Sequence, residues 1–202
     1  MRKAPRRGLG HTLLLVAENG WNGPVKINFS EIKFMLACVD VHYYDDHAAA
    51  ACILFKNWTD SVPAAQFHTT VSKITPYISG QFYLRELPCI LKVLELVNEN
   101  IEAILIDGYV WLDNRQSAGL GAYLYYELNA TIPVIGVAKS RYKRSDAADK
   151  VLRGKSKKPL YVTAAGIDQR IAASYIAKMH GKFRIPTLLK MVDQISRNIN
   201  EK

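Results

Sequence analysis

Phe34-Met35-Leu36-Ala37-Cys38-Val39-Asp40-Val41-His42-Tyr43-Tyr44 is an apolar run that carries one acid near its middle. Asp45-Asp46 breaks it, a second apolar run extends from His47 to Trp58, and after Thr59 to Pro63 a third, alternating run covers Ala64 to Lys73. Runs of this length with short turn-forming breaks predict three consecutive strands in an antiparallel meander. The period then changes. Between Phe82 and Glu99 the residues Leu84, Leu87, Leu91, Leu94 and Val97 recur at helical spacing, and Asn98 and Asn100 end the pattern. Ile101 to Asp107 and Ile132 to Ala138 are short, nearly continuous apolar runs of the kind found in buried parallel strands, with a helix over Ser117 to Leu128 between them. A strand at Leu160 to Ala164 and helices over Gln169 to Met179 and Thr187 to Ile199 complete the reading. The order is that of an α/β fold: three antiparallel strands, then β-α-β steps, in a mixed sheet with helices on its faces and ligands expected beyond the carboxyl ends of the parallel strands.

Outside that core the chain is ordinary in bulk and lopsided in charge. At 202 residues, 49% hydrophobic and 22% charged, it excludes collagen-like, low-complexity and wholly disordered classes, and its length suits one substantial domain. We expect residues 1–30, with Arg2, Lys3, Arg6 and Arg7 and no sustained period, to be a poorly ordered extension, and residues 31–202 to form a single domain. The run Leu13-Leu14-Leu15-Val16-Ala17 after four positive charges mimics a secretory signal, but its apolar core is short and Gly10 and His11 interrupt its approach, so a flexible tail is the expectation. Cys38, Cys52 and Cys89 are an odd number without CxxC spacing, which argues against a disulfide framework or a zinc site and for a reducing, cytoplasmic compartment. No stretch reaches the ~20 apolar residues that cross a bilayer. The formal charge is +9, and residues 139–158 alone carry nine basic residues against Asp146 and Asp149. Such a mobile basic loop either attracts a polyanion or is simply a solvated face, and charge alone does not choose between them.

Two acids sit where buried strands end: Asp40 after Met35 to Val39, and Asp107 after Ile104-Leu105-Ile106. An acid at such a place needs a cation, a donor or water. Glu86, in the first turn of the helix after the meander, makes a third. Each alone has an ordinary role, as a turn cap at Asp40, a lead into the turn at Gly108 for Asp107, or a partner of the helix dipole for Glu86. Together the three carboxylates suit Mg²⁺, with Mn²⁺ as a substitute.

The segment Pro76-Tyr77-Ile78-Ser79-Gly80-Gln81-Phe82-Tyr83-Leu84-Arg85-Glu86 resembles the signature of the endonuclease V family, a Pro-Tyr loop leading into a helix with Arg-Glu. Asp40 in Cys38-Val39-Asp40-Val41-His42-Tyr43, Asp107-Gly108 after Ile106, and Pro133 to Ser140 resemble its other motifs in the same order. The resemblance implies a ribonuclease H-like fold and a Mg²⁺-dependent endonuclease that cuts DNA or RNA beside hypoxanthine, in DNA repair or inosine-RNA processing, as a monomer without a membrane. It implies that Asp40, Glu86 and Asp107 hold the metal and that Lys139 offsets charge on the phosphoryl oxygens. Tyr77 would act as a wedge, with Ile78, Gly80, Gly108 and Arg115 also on the nucleic acid.

Two family histidines are not matched. The third motif reads Asp107-Gly108-Tyr109-Val110-Trp111-Leu112-Asp113-Asn114-Arg115, with Asp113 at the histidine position, and the last motif is replaced by a stretch whose nearest acid is Asp168. Asp168 is thus expected to join the metal site through water, to cap the helix that starts at Gln169, or to do both, since the two roles are compatible. These departures leave open a nuclease with another target, such as a junction or flap, and a nucleic-acid-binding protein that has lost cleavage.

Overall fold

The computed structural model describes residues 33–72, 81–143 and 145–199. The expectation for residues 1–30, and the Pro76 to Gly80 segment with Tyr77, Ile78 and Gly80, lie outside the described residues.

Seven strands form one mixed sheet: β1 (Phe34–Tyr43), β2 (His47–Phe55), β3 (Ala65–Ser72), β4 (Asn100–Ile106), β5 (Val134–Ala138), β6 (Asp149–Val151) and β7 (Leu160–Ala165), in the order β3-β2-β1-β4-β5-β7-β6. β1, β2 and β3 make the antiparallel meander, β4 and β5 add in parallel to β1, and β7 and β6 close the sheet antiparallel. Among the described residues four helices cover it: α1 (Tyr83–Leu94), α2 (Leu120–Glu127), α3 (Gln169–Lys178) and α4 (Thr187–Arg197). The mixed α/β sheet read from the sequence is therefore the observed architecture.

Alternation along the strands builds two cores. Ala37, Val39, Ile104 and Ile106 face the layer of α1 and α2, whereas Leu36, Cys38, Leu105 and Val137 face the layer of α3 and α4. In β2, Ala48 to Ala51 are fully buried and small, so α1 on one side and α4 on the other approach the same strand closely. Burying a run of this kind on both faces is what makes it read as continuously apolar. Among the described residues no helix is long and apolar enough to cross a membrane.

Two findings depart from the sequence reading. The strand β6 lies inside the basic stretch, paired to β7, where only three residues and no apolar alternation announce it. That stretch is not one free loop. Arg153 is only 6% exposed, and its guanidinium donates to the carbonyls of Ile176, Met179 and Gly181 at 2.5, 2.7 and 3.0 Å. A charged side chain here ends α3 and holds the chain that follows, satisfying carbonyls that the helix leaves free.

The antiparallel β7 has a second consequence. Val134 pairs with Ala165 and Ala138 with Tyr161, so Asp168 emerges beside the start of β5, roughly 15 Å along the strands from its end.

Candidate active site

The parallel pairing of β1 with β4 ends at Val39 opposite Ile106, so Asp40 and Asp107 are the next residues out on neighbouring strands. β1 itself runs on to Tyr43 against β2. Asp40 thus stands where its parallel neighbour stops, not where its own strand stops. Both acids continue the alternation that points toward α4. Lys139, one step beyond the end of β5, completes the row, with Nζ 2.6 Å from Asp107 Oδ2.

α4 brings a fourth side chain that the sequence reading missed. Asp193 Oδ1 is 3.6 Å from Lys139 Nζ, and one oxygen each of Asp40, Asp107 and Asp193 lies within 4.8 Å of the others. Arg197 orients Asp193 from the next turn, donating from Nε to Oδ2 at 3.0 Å and from Nη2 to Oδ1 at 3.2 Å. Ser196 is fully buried, and its hydroxyl lies 2.6 Å from Asp40 Oδ2 and 2.9 Å from the carbonyl of Asp193. The only sequence signal for Asp193 is an acid between Val192 and Ser196, both buried, and its i,i+4 spacing to Arg197 reads as an ordinary surface pair.

Glu86 reaches the same end of the sheet from the opposite layer. It is 5% exposed, and Oε2 has no hydrogen-bond partner. Burial raises its pKa well above the usual carboxylate range, and the charges of Asp40 and Asp107 push it further. Burial likewise lifts Asp40 to about 6; the Ser196 hydrogen bond opposes this, Asp193 and Asp107 add to it, and Lys139 opposes it. Asp193 goes the other way, held below its ordinary value first by the Arg197 hydrogen bond. Burial works against the charge on Lys139, but the hydrogen bond to Asp107 and the surrounding carboxylates outweigh it and its pKa is raised.

These residues fit a divalent cation. Three carboxylates within 4.8 Å of one another, with the buried donorless oxygen of Glu86 acting on two of them through its charge, form a set of hard oxygen ligands with surplus negative charge, which is the chemistry Mg²⁺ and Mn²⁺ take. A cavity of ≈ 20 Å³, enough for about one water-sized sphere, lies among Asp40, Asp107, Lys139 and Asp193.

A second cavity, ≈ 280 Å³, shares Asp107 and is lined by Tyr83, Gly108, Tyr109, Gly119 and Tyr123 among others. Its wall is a stack of Tyr83 on Tyr123, with ring centroids 3.7 Å apart. Gly108 has φ +146°, a conformation that side chains rarely adopt, and this lets the chain turn sharply out of β4. The loop that follows lies against β5 because a Cβ at Gly136 would meet the Gly108 carbonyl oxygen at 2.6 Å. Val110 N–H donates to Thr163 Oγ1 at 2.8 Å, and Tyr109 hydroxyl to the Ser140 carbonyl at 2.9 Å. The cavity is at the lower end of small-molecule sites in size, on the scale of one aromatic base.

The structure brings Asp40, Asp107 and Lys139 together, places Glu86 in the opposite layer within range of the charges of Asp40 and Asp107, and sets Gly108 in the adjoining cavity. It does not bring Asp168 there. Asp168 is the N-cap of α3, its Oδ1 accepting from Arg170 N at 2.9 Å and Ile171 N at 3.0 Å, at the other end of the sheet. The capping alternative is the observed one, and the acid that stands with Asp40 and Asp107 is Asp193, not Asp168. Asp113 accepts from Arg115 N, Ser117 N and Ser117 Oγ, and so holds its own turn; Arg115 is exposed on that turn.

The endonuclease V family model matches residues 25–152. Endonuclease V of Trichormus variabilis is 30% identical over 143 residues, 61% of this chain and 63% of that protein. Endonuclease V of Rhodospirillum centenum is 27% identical over 196 residues, 85% of this chain and 77% of that protein. The chain thus spans about 63% of the length of the first of these relatives. The crystal structure of Ciona intestinalis endonuclease V in complex with a 24mer DNA containing an inosine followed by a ribo-adenosine superposes with a TM-score of 0.71 at 22% identity, over 86% of this chain and 88% of that one. Endonuclease V of Streptomyces avermitilis gives 0.68 at 25% identity, over 84% and 82%. The structural likeness is one of fold, but the matched segment is most of the chain and contains Asp40, Glu86, Asp107 and Lys139, and on that match the chain belongs to the endonuclease V family.

Proposed function

We propose that the protein is a divalent-metal-dependent endonuclease that cuts a phosphodiester of DNA or RNA close to a deaminated purine. The observation that carries the reading is the sharing of Asp107 between a cluster of carboxylates and a tyrosine- and glycine-lined cavity of base size. The inosine-containing DNA held by the Ciona relative supports the choice of base.

Asp40, Glu86, Asp107 and Asp193 would hold the ion. When bound, a divalent cation neutralises charge on the phosphate and lowers the pKa of water near it. Lys139, beside Asp107, is placed to offset negative charge that grows on the phosphoryl oxygens. Ser196 and Arg197 fix Asp40 and Asp193, so the carboxylates need little reorganisation when substrate enters. A base turned out of its stack would lie against Tyr83 and Tyr123, with backbone at Gly108 free to approach its edge. The single domain over residues 31–202, a monomeric state and a cytoplasmic location belong to the same reading; the three buried free cysteines support a reducing compartment.

The test is a labelled oligonucleotide with one inosine, an undamaged control and a branched control, each incubated with Mg²⁺, Mn²⁺ or EDTA. The reading expects cuts only beside inosine and only with metal. Cleavage of the branch alone, or binding without cuts in either metal, overturns it.

A further inference from the structure

A third cavity, ≈ 740 Å³, is lined by Lys155, Lys182, Phe183, Arg184, Ile185 and Lys190 among others. Four of those six side chains are cations and none is an acid. Phe183 is 66% exposed, and the Lys182 ammonium sits 5.5 Å from its ring centroid. A large aromatic ring displayed to solvent among cations is the composition of a surface on which bases stack while phosphates meet the charges.

The cavity neighbours the candidate active site, with one residue common to both linings. Ile185 lines both this cavity and the small one among Asp40, Asp107 and Lys139. The Arg184 guanidinium donates to the carbonyl of Lys139 and, at 2.7 Å, to that of Pro159. Arg153 fixes the carbonyls of Met179 and Gly181 just upstream, so the segment bearing Lys182 and Phe183 is anchored at both ends before any ligand arrives. Anchoring of this kind lowers the ordering cost of binding.

We infer that the Lys155–Lys182–Phe183–Lys190 surface holds an unpaired flank of the nucleic-acid strand that enters the carboxylate site, with one base on Phe183 and phosphates on the lysines. The inference rests on the nuclease reading for the direction of the strand, and continuity with the carboxylates is what favours a nucleic acid over an acidic polypeptide. It also gives the basic stretch a divided role: Arg153 is structural, and Lys155 faces the ligand.

The experiment measures binding by the intact chain in EDTA, with a long labelled inosine oligonucleotide carrying flanks on both sides and a short one confined to the nucleotides around inosine. Phe183→Ala weakens the long strand by about 5- to 150-fold and leaves the short one unchanged, and Phe183→Tyr restores it. The combined change Lys155→Ala, Lys182→Ala, Lys190→Ala flattens the slope of log affinity against log salt by about 2 for the long strand only. Trimming one flank, and not the other, reproduces the loss. Equal losses on long and short strands, an unchanged salt slope, or polyglutamate competing as well as the strand overturns the inference; thermal melting of each variant shows that it is folded. A parallel Mg²⁺ assay keeps the two readings apart. If no inosine strand is cut but the long strand still responds to Phe183→Ala, the nuclease reading fails and the surface stands.

Discussion

Asp168 and Asp193 are both acids on helices of the same layer, yet they occupy opposite electrostatic situations. Asp168 sits at the start of α3, with two backbone N–H groups donating to one of its oxygens. Asp193 sits in the second half of α4 and, with Asp40 and Asp107, joins three carboxylates within 4.8 Å that share Lys139 and Arg197 as counter-charges. One acid has its needs met by the backbone; the others repel one another and are offset only by Lys139, Arg197 and the Ser196 hydroxyl. Accounting for donors, acid by acid, separates a structural carboxylate from one available to a ligand, which position in the sequence does not.

The comparison breaks most decisively at the crowded end. Asp40→Ala or Asp107→Ala is expected to lower cleavage on the order of a thousand-fold or more while leaving a cooperative melt; near-normal turnover in either removes it from the site. Asp193→Ala is expected to follow with roughly a hundred-fold loss and a higher Mg²⁺ requirement, whereas a residue serving only as the partner of Arg197 would leave the Mg²⁺ titration unmoved.

Smaller effects sharpen the same contrast. Asp40 is raised to about 6, so the folded chain holds a proton that the unfolded chain releases near pH 4. Its stabilising contribution is therefore present below pH 4 and lost as the pH climbs through 6, and Glu86, raised in the same direction, adds to the loss. Metal-free protein should lose about 1–2 kcal/mol between pH 5 and 7.5, and added Mg²⁺ should raise the Tm more at pH 7.5 than at pH 5. Asp40→Asn in EDTA should gain a similar amount at pH 7.5; a variant less stable than the parent would show that the carboxylates are not in conflict. Asp193, held below its ordinary value, titrates beneath this window and does not cancel the trend. Asp168→Ala should be the mildest change, costing about 1 kcal/mol of stability as a lost N-cap and nothing in cleavage.

Much of this was legible before any coordinates. The runs around Val39, Ile53 and Ile106 gave their strands, and the leucine spacing from Leu84 to Leu94 gave α1, because burial imposes those periods. Asp40 and Asp107 stood out since each interrupts a run that burial would otherwise keep apolar. Asp193 did not, because an acid followed four residues later by arginine is the commonest dress of a solvated helix. The error at Asp168 has a topological cause. A reading that moves from strand to loop to helix does not carry strand direction, and β7 runs against β5, so an acid following it lands at the wrong end. β6 escaped because three residues are too few to show a period, and Arg153 because a run of cations hides the one that turns inward.

Ser196 and Asp40 meet across 156 positions of sequence. A ribosome that has made β1, β4 and β5 has laid down Asp40, Asp107 and Lys139 but neither Asp193 nor Ser196. Only after α4 has emerged and settled over the earliest strand can Asp193 and Ser196 join Asp40, so the cluster is among the last features of the fold to be completed.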